Sequence, residues 1–326
     1  MGLPCTISRF PLLIMGKPSE SLLQQLAEIQ QLANIQIAET SEQAALLIPE
    51  AEVILMLGHT GAWLQAHWKS IARLRWIQAS STGVEDIIFP ALQRHPVVVT
   101  NSRGAYSSPL AEFVMFCVLY FAKAFLVMER NRRDRRWADY PLQEARGQTI
   151  GIVGFGETGH AVSRLARAFG IRVLATRRNF RASEEGVDQL IPAERWHELL
   201  SASDYVVNTL PLTSETQGKF GEGEFRSMKT TSCFINVGRG RTVQETMLVR
   251  ALREGWIAGA GLDVYETEPL PPNSELYSLS NVILSPHCAD KTAPSIDKVT
   301  RMFLENVRRY VKGEPLRNIV DKQRGY

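Results

Sequence analysis

The sequence predicts an α/β protein with two units, each built on a parallel β-sheet. The chain has 326 residues, a length that suggests about two domains. Short apolar runs alternate with helix-like stretches in the first part of the chain, and a second alternating series starts at Thr149. Such alternation produces parallel sheets, because each helix returns the chain to the edge of the sheet where the next strand begins.

The first series opens with a short apolar strand at residues 11–15. Ser19 is in position to cap the helix that follows. The apolar residues of that helix recur at helical spacing, at Leu22, Leu26, Ile29 and Ala33. Three further strands are predicted from apolar runs at residues 53–57, 74–79 and 97–100.

A long apolar helix is predicted to begin near Pro109, since proline suits the first turn of a helix. Its most apolar part, residues 113–128, contains Lys123 and is shorter than the ~20 residues that a membrane-spanning helix needs. We therefore expect a buried helix and no membrane partner. The second series has apolar runs of strand length at residues 150–153, 172–176, 205–209, 233–237, 259–262 and 282–285. An amphipathic helix is predicted over residues 291–312.

The composition, with 44% hydrophobic and 22% charged residues, is ordinary for a globular protein, and a net charge of +3 is too small to indicate a nucleic-acid partner. The first residues lack the features of a secretory signal, so we expect a cytoplasmic protein. Gly2 and Thr6 fit the N-myristoylation pattern, which short sequences match by chance. The cysteines are predicted to be buried, reduced thiols without metal-ligand spacing: Cys5, Cys117, Cys233 and Cys288.

A glycine-rich turn follows the first strand of the second series, at Gly154, Gly156 and Gly159. It joins that strand to an amphipathic helix in a strand–helix–strand unit of about thirty residues, the context in which G-x-G-x-x-G indicates a dinucleotide site. Gly156 lets the backbone approach a pyrophosphate, and the helix N-terminus presents unpaired N–H groups and a positive dipole end. The pattern predicts a bound dinucleotide; a glycine turn without a ligand is the alternative.

Three later segments carry ionisable residues where strands end, namely Arg239, then Asp263, Glu266 and Glu268, then His287. The carboxyl ends of parallel strands face the ligand crevice. A guanidinium can bind a carboxylate through two hydrogen bonds, and a histidine beside a carboxylate can protonate a carbonyl oxygen as a hydride arrives. Each residue alone has a structural explanation. Together they predict a reductase site in which Arg239 orients the substrate, His287 donates the proton and Glu268 holds the histidine.

These motifs resemble those of the D-isomer-specific 2-hydroxyacid dehydrogenases, a family that includes glyoxylate/hydroxypyruvate, glycerate and phosphoglycerate enzymes. The resemblance covers nearly the whole chain. It includes S-T-G-V-E at 81–85, S-P-L-A-E-F at 108–113, G-Q-T-I-G-I-V-G-F-G at 147–156, L-P-L-T-S-E-T at 210–216, N-V-G-R-G at 236–240, G-L-D-V-Y-E-T-E-P-L at 261–270 and S-P-H at 285–287. It implies two doubly wound parallel-sheet domains, in which a Rossmann cofactor domain of residues 104–290 is inserted into a flavodoxin-like substrate domain of residues 1–103 plus 291–326.

The resemblance also assigns roles. Arg239 would bind the carboxylate and keto group of the substrate, with His287 as proton donor and Glu268 as its partner. The Thr82-Gly83-Val84 backbone would bind the same carboxylate. The predicted cofactor residues are Gly154, Gly156, Glu157, Thr158, Gly159, Thr209, Pro211, Thr216, Val237, Gly238 and Asp263, together with Arg177 and Arg178, which depart from the family pattern. The implied substrate is a small 2-keto or D-2-hydroxy acid such as glyoxylate or hydroxypyruvate. No metal site is implied. The implied assembly is a homodimer joined through residues 109–146.

Two departures from the family pattern concern specificity. Members that use NAD usually carry an acidic residue after the second strand of the cofactor domain, where this chain has Arg177, followed by Arg178 and Arg181. NADP is therefore the preferred cofactor, with NAD possible. After His287 the chain reads C-A-D-K instead of the glycine-rich run of many members, and the resemblance assigns no role to Cys288, Asp290 and Lys291.

Other functions stay open at the level of sequence. A phosphoglycerate-dehydrogenase-like enzyme is one, and a cofactor-sensing corepressor or scaffold without turnover is another. Formate dehydrogenation is disfavoured, because related formate enzymes typically pair the histidine with glutamine rather than with a residue like Glu268. A nucleic-acid site at the cluster Arg130, Arg132, Arg133, Arg135 and Arg136 is disfavoured, because interleaved acidic residues indicate a solvated helix end.

Overall fold

The structure, a computed structural model, describes residues 9–179 and 184–326. Gly2, Cys5, Thr6 and Arg181 lie outside the described residues. The chain divides into two compact units. The first unit comprises Met1–Ala105 and Thr292–Tyr326, and the second comprises Tyr106–Lys291, so that the second interrupts the chain of the first.

The first unit is built on a parallel sheet. Its strands are β1 (Phe10–Met15), β2 (Ala33–Ala38), β3 (Val53–Met56), β4 (Trp76–Ala79) and β5 (Val98–Thr100). They lie in the order β2-β1-β3-β4-β5, and all neighbouring pairs are parallel. This is the flavodoxin-like strand order, which confirms the predicted fold of this part of the chain.

Four helices of the first unit connect these strands, namely α1 (Glu20–Leu26), α2 (Ser41–Leu47), α3 (Gly61–Ala66) and α4 (Pro90–Arg94). Ser19 caps α1 as predicted, because its side chain accepts a hydrogen bond from the Leu22 backbone N–H. The prediction that Ala33 belongs to this helix was wrong. A 3₁₀ turn at Ala27–Ile29 ends the helix, and Ala33 begins β2, whose alternating sequence A-N-I-Q-I-A has the period of a strand.

The second unit is built on a parallel sheet of seven strands. They are β6 (Thr149–Val153), β7 (Arg172–Arg177), β8 (Gln189–Pro192), β9 (Tyr205–Asn208), β10 (Cys233–Asn236), β11 (Gly259–Leu262) and β12 (Val282–Leu284). Their order is β12-β11-β10-β9-β6-β7-β8. The strand order reverses at β6, as in dinucleotide-binding folds. The short edge strand β8 is not among the strands that the sequence predicts.

Helices cover both faces of this sheet. They are α5 (Ser107–Ala122), α7 (Glu157–Ala168), α8 (Trp196–Ala202), α9 (Glu222–Ser227) and α10 (Glu245–Arg253), while α6 (Phe125–Arg133) follows α5 and has no buried residue. The chain then returns to the first unit as α11 (Ala293–Lys312). In β9, Val206 packs into one apolar cluster while Tyr205 and Val207 pack into another. A sheet buried on both faces explains why its strands read as continuous apolar runs.

The predicted single helix over residues 113–128 is in fact two helices. It breaks at Lys123 and at Ala124, which has a φ of 46°, and α5 and α6 are bent by 63° at this break. Among the described residues no single helix is both long and apolar enough to span a membrane, and α5 and α6 pass that test only as this bent pair. Burial is also less than predicted, because α6 has no buried residue and the side chain of Phe116 on α5 is 51% exposed.

The arginine cluster at the end of α6 is partly neutralised from within. Glu129 accepts hydrogen bonds from Arg132 (2.6 Å) and Arg133 (2.9 Å). These bonds lower the pKa of Glu129 to about 2. All three side chains are at the solvent-facing end of the helix, as expected for interleaved charges on a solvated surface.

Candidate active site

The glycine loop lies at the point where the strand order reverses, since β6 pairs with β7 on one side and with β9 on the other. Gly154 follows β6 with a φ of +98°, a conformation that suits glycine. A Cβ atom added there would lie 3.1 Å from the backbone of Thr209 and of Leu210, after β9. The two loops therefore approach so closely that a side chain would separate them. Dinucleotides bind at this position in open α/β sheets.

The start of α7 fits a phosphate group. Gly156 is its N-cap residue and no side chain caps the helix, so its first N–H groups point toward the loop without a side-chain acceptor among the described residues. No described atom lies within 4 Å of the position that a Cβ of Gly156 would occupy. Glu157, Thr158 and Gly159 form the first turn, as predicted from the spacing of the glycines. Backbone donors, a positive helix end and open space together make an anion site.

The loop after β9 is held against the glycine loop. The Thr209 hydroxyl donates to the carbonyl of Val153 at 3.2 Å and also to that of Gly154. Further along, the Thr216 hydroxyl donates to the carbonyl of Pro211 at 2.6 Å and accepts from the backbone N–H of Thr213 at 2.8 Å. The segment Thr209–Thr216 is thus a structured turn bordering the dinucleotide crevice.

Arg177 and Arg178 end β7 and enter the following loop, and each pairs with a glutamate. Arg177 donates to Glu184 at 2.6 Å, and Arg178 pairs with Glu215. The Glu184 side chain is only 11% exposed, and its other oxygen lies 3.7 Å from Nε2 of His160, in the first turn of α7. The end of β7 therefore carries both signs of charge, which the sequence pattern alone did not reveal.

Arg239 lies in the turn after β10, and this turn requires glycine at the next position, Gly240. A Cβ atom on Gly240 would lie 1.8 Å from the carbonyl oxygen of Tyr265, so no other residue fits at that close approach. The Arg239 side chain is partly exposed, and its guanidinium donates to the carbonyl of Gly238 at 2.8 Å. Val237 is buried beside it. The turn directs a cation toward the carboxyl edge of the sheet.

Asp263 is buried and bonded to the loop that carries His287. It is 1% exposed, and its Oδ1 accepts hydrogen bonds from the Ser285 hydroxyl (2.7 Å), the Cys288 N–H (3.0 Å) and the Ala289 N–H (3.1 Å). In addition, its carbonyl accepts from the His287 N–H at 2.9 Å. Asp263 therefore fixes the loop on both sides of His287.

His287 and Glu268 form a hydrogen-bonded pair, with 2.6 Å between Nδ1 and Oε2. His287 has a φ of 49°, in the left-handed region that non-glycine residues adopt rarely, and such backbones cluster at functional sites. The other Glu268 oxygen accepts from the Tyr265 N–H at 2.9 Å, which fixes the carboxylate. Since an ionised carboxylate only accepts, Nδ1 carries the proton and Nε2 is left to face a ligand.

The charges around this pair favour a protonated histidine. The hydrogen bond that His287 donates to Glu268 raises the pKa of His287, while partial burial and the positive charge of Arg239 oppose that rise. Burial would raise the pKa of Glu268, but the hydrogen bonds from His287 and Tyr265 and the charge of Arg239 lower it overall. Both shifts favour the ionised pair, an imidazolium beside a carboxylate, and Arg239 is among the charges that influence both.

The residues after His287 include one correction. Cys288 was predicted to be buried, but it is exposed, with Sγ 3.4 Å from the Ser285 hydroxyl, whereas Cys117 and Cys233 are buried as predicted.

Burial raises the pKa of Asp290, while the positive charge of His287 acts to lower it. Burial, together with the charge of Asp290, raises the pKa of Tyr106 to about 12. In the part of the chain that the structure describes, no group of three or more His, Cys, Asp and Glu residues could hold a metal ion.

Comparison with known proteins identifies the family. The sequence model of the NAD binding domain of D-isomer specific 2-hydroxyacid dehydrogenases matches residues 115–289. A glyoxylate reductase of Korarchaeum cryptofilum is 35% identical over 265 residues, which are 78% of this chain and 79% of the relative. The chain belongs to the D-isomer-specific 2-hydroxyacid dehydrogenase family.

Solved structures agree with this assignment of the dehydrogenase. A family member from Aeromonas salmonicida has a TM-score of 0.86 and 29% identity, covering 97% of this chain and 100% of that one. A D-isomer specific 2-hydroxyacid dehydrogenase from Xanthobacter autotrophicus, solved with NADPH and MES, has a TM-score of 0.83 and 29% identity, covering 98% and 100%. A glyoxylate reductase of Thermococcus gammatolerans is 37% identical over 262 residues, which are 77% of each chain.

In this dehydrogenase, the predicted site residues fall in two units. Arg239, Glu268, His287 and the predicted cofactor residues all belong to the second unit. Thr82, Gly83 and Val84 belong to the first unit, where they form a braced turn. The Asn101 side chain donates to the Thr82 carbonyl at 2.7 Å, and the Ser81 hydroxyl donates to the Gly83 carbonyl at 2.6 Å. Val84 is fully buried.

Several residues that shape the dehydrogenase site were not singled out from the sequence. Asn208, Asn236 and Thr242 are buried beneath the Arg239 turn, and Tyr265 donates its hydroxyl to the carbonyl of Ser285 at 2.8 Å. Polar residues at the ends of apolar strands were the available signal for the two asparagines. Glu184 lay in a loop without a pattern, so nothing in the sequence paired it with Arg177.

Proposed function

We propose that this dehydrogenase reduces small 2-keto acids to D-2-hydroxy acids, with NADPH as the preferred reductant. The observation that carries the proposal is the His287–Glu268 pair, 2.6 Å apart, beside Arg239 and in the same unit as the glycine loop. A positive histidine, a cation for a carboxylate and a dinucleotide loop are the parts that such a reduction requires.

Each residue has a defined task in the proposed reaction. NADPH, when bound at the glycine loop, would supply the hydride that reduces the carbonyl carbon. Arg239 binds the carboxylate and the keto oxygen, which aligns the carbonyl and stabilises the charge that develops on its oxygen. His287 donates the proton on Nε2 to that oxygen. Glu268 keeps Nδ1 protonated and stabilises the imidazolium, so that His287 is in its acid form when the keto acid binds.

The proposed substrates are glyoxylate and hydroxypyruvate. Several relatives at 33–37% identity are glyoxylate reductases. A small acid also suits a site that recognises the carboxylate of the substrate rather than a long substituent. We also propose that the backbone of Thr82, Gly83 and Val84 binds a carboxylate, because its turn is fixed by hydrogen bonds from Asn101 and Ser81.

The proposed preference for NADPH rests on charge. NADP differs from NAD by a 2′-phosphate, which carries about −1.5 to −2 charges at neutral pH and pairs well with guanidinium. Arg177 and Arg178 stand where an acidic residue would bind the ribose 2′-hydroxyl. A guanidinium has five N–H donors, so Arg177 can meet a phosphate while it pairs with Glu184. A Rhizobium etli neighbour with 27% identity was solved with NADP, which supports the same choice.

The proposed assembly is a cytoplasmic homodimer joined through the α5–α6 face. This face exposes Phe116, Phe125 and Met128, and Trp137 beyond it is fully exposed. A groove with a volume of about 590 Å³ lies alongside this face and is lined mainly by apolar residues of α5 and α7. Exposed apolar residues that cluster on one face are typical of protein contact surfaces, so a second copy of the chain is the occupant we propose.

Turnover is the direct test of the proposed function. NADPH oxidation should be rapid with glyoxylate and hydroxypyruvate, and the product should be the D isomer. His287→Gln should abolish it. His197→Gln is the matched control, because His197 also lies near a glutamate, 3.6 Å from Glu224, but on α8. Tight cofactor binding without turnover of any 2-keto acid would instead favour a corepressor or scaffold.

A further inference from the structure

A cluster of buried polar residues lies beneath the Arg239 turn. Asn208 ends β9, Asn236 ends β10, and Thr242 follows the turn; their exposures are 0%, 1% and 0%. We call these three residues the buried amide network. Two residues earlier in the same strands, Val206 and Phe234 are apolar and equally buried. Polar groups in such a position are costly unless each finds a partner.

Every member of the network is bonded, and the bonds converge on one atom. The Asn208 side-chain NH₂ donates to Oδ1 of Asn236 (3.0 Å) and to Oγ1 of Thr242 (2.7 Å). The carbonyl oxygen of Arg239 then accepts from the Asn236 NH₂ (3.3 Å) and from the Thr242 hydroxyl (2.6 Å). The N–H of Gly238 donates to Oδ1 of Asn236 at 3.1 Å. The backbone on both sides of the guanidinium is thus fixed from below.

The other end of the network reaches the cofactor loops. Oδ1 of Asn208 accepts from the Leu210 N–H at 3.1 Å. Leu210 follows Thr209, whose hydroxyl donates to the carbonyl of Val153 at 3.2 Å. Hydrogen bonds, together with the peptide link between Thr209 and Leu210, therefore connect the end of β6 to the Arg239 turn. Satisfied buried networks of this kind make a site rigid.

We propose that Thr242 and Asn208 are positioning residues for the reduction. They hold the Arg239 backbone in the position from which its guanidinium can bind the substrate carboxylate. This inference rests on the proposed function. A misplacement of about 1 Å in a reactive geometry can lower a rate by about a hundredfold, so side chains that fix this turn act on substrate binding and not only on stability. Asn208 bonds directly to the backbone of Leu210 in the loop after β9, whereas the Thr242 hydroxyl bonds to Asn208 and to the Arg239 carbonyl, which makes Thr242 the sharper probe.

The test compares Thr242→Val, which removes the hydroxyl and keeps the shape, with Thr242→Ser, which keeps the hydroxyl. Thr242→Val should raise the KM for glyoxylate and the Kd for oxalate in the NADPH-loaded enzyme by about tenfold, as expected for losing a buried hydrogen bond. The Kd for NADPH, measured by fluorescence titration, should change by less than about twofold. Thr242→Ser should restore most of the oxalate affinity. If Thr242→Val lowers the yield of folded protein, Thr242→Ala makes the same comparison.

Ser203→Ala is the matched structural control. Ser203 is as buried as Thr242 and donates its hydroxyl to the carbonyl of Leu199 at 2.6 Å, but it precedes β9 at the opposite edge of the sheet. It should lower the melting temperature and leave the oxalate Kd unchanged. The positioning role would be overturned if Thr242→Val lowered only the melting temperature, or if it weakened NADPH as much as oxalate. An unmutated protein that neither reduced 2-keto acids nor bound oxalate would overturn the proposed function itself.

Discussion

Nδ1 of His287 lies 2.6 Å from Oε2 of Glu268, and the second oxygen of this carboxylate accepts from the Tyr265 N–H at 2.9 Å. The carboxylate is therefore fixed by two donors, one of which is the imidazole. Asp263 fixes the backbone of the same histidine from the other side, since its carbonyl accepts from the His287 N–H. His287 is thereby restrained in both orientation and tautomer, as a proton donor requires.

The first prediction concerns pH. Glu268 raises the pKa of His287 above its usual value, so the acid form persists to higher pH and reduction should decline only as the pH rises through that raised pKa. Glu268→Gln removes the charge and keeps the shape, so the alkaline limb of the kcat/KM profile for glyoxylate should move to lower pH. The reverse reaction, which needs neutral His287, should gain activity at low pH in the same variant.

Glu266→Gln is the control for that profile. It makes the same change of charge two residues away, at an exposed carboxylate that accepts from the Glu245 N–H and is not bonded to the histidine. Its alkaline limb should stay with that of the unmutated enzyme. A limb that did not move in Glu268→Gln would show that another group donates the proton.

The second prediction concerns the substrate clamp. Arg239→Lys keeps a positive charge but loses the planar fork that can bind a carboxylate through two hydrogen bonds. We expect kcat/KM for glyoxylate and hydroxypyruvate to fall about ten- to a hundredfold, the equivalent of one charge-assisted contact. Arg241→Lys, at an exposed position two residues later, should retain full activity. Steady-state kinetics with both 2-keto acids distinguish these outcomes, and an Arg239→Lys enzyme with full activity would exclude this role of Arg239.

Much of this site could be predicted because its signals are local. The glycines at 154, 156 and 159 act through backbone conformation within one turn, and Arg239, Glu268 and His287 each follow an apolar strand. Parallel strands bring their carboxyl ends to one edge, so the order of the strands converts distant motifs into neighbours. The pairing of His287 with Glu268 follows from that geometry.

The features that were missed depend on contacts that no local pattern records. The break at Ala124 interrupts an apolar run without a glycine or proline, so sequence periodicity continued through it. Ala33 continued the spacing of a helix that a 3₁₀ turn ends. The buried amide network joins residues that are as far apart as Asn208 and Thr242, and only the pairing of β9 with β10 brings them together.

The third prediction concerns assembly. A homodimer should bury more than the ~1,600 Å² of a standard interface, because stable homodimers commonly exceed it. Phe116 is 51% exposed on α5, and Phe116→Asp would introduce a charge into the proposed contact, which should shift the protein toward monomer. Leu46→Asp is the matched control, since Leu46 is 79% exposed on α2 of the first unit. Light scattering at micromolar concentration measures both, and a monomeric unmutated protein would rule the interface out.

The last prediction concerns the choice of cofactor. A charge-assisted contact to the 2′-phosphate is worth about 1.5–3 kcal/mol, so kcat/KM should favour NADPH over NADH by at least about tenfold. Arg177→Asp should abolish or reverse this preference and leave the ranking of 2-keto acids unchanged. Glu184→Gln should act in the opposite direction, because Glu184 pairs with Arg177 at 2.6 Å and its negative charge would repel a phosphate bound to the same guanidinium. Arg164→Asp, at an exposed position on α7, makes the same charge change as Arg177→Asp and should not alter the ratio. Equal efficiency of the unmutated enzyme with both cofactors would refute the assignment, and a preference for NADH would mean that Glu184, rather than Arg177, sets the specificity.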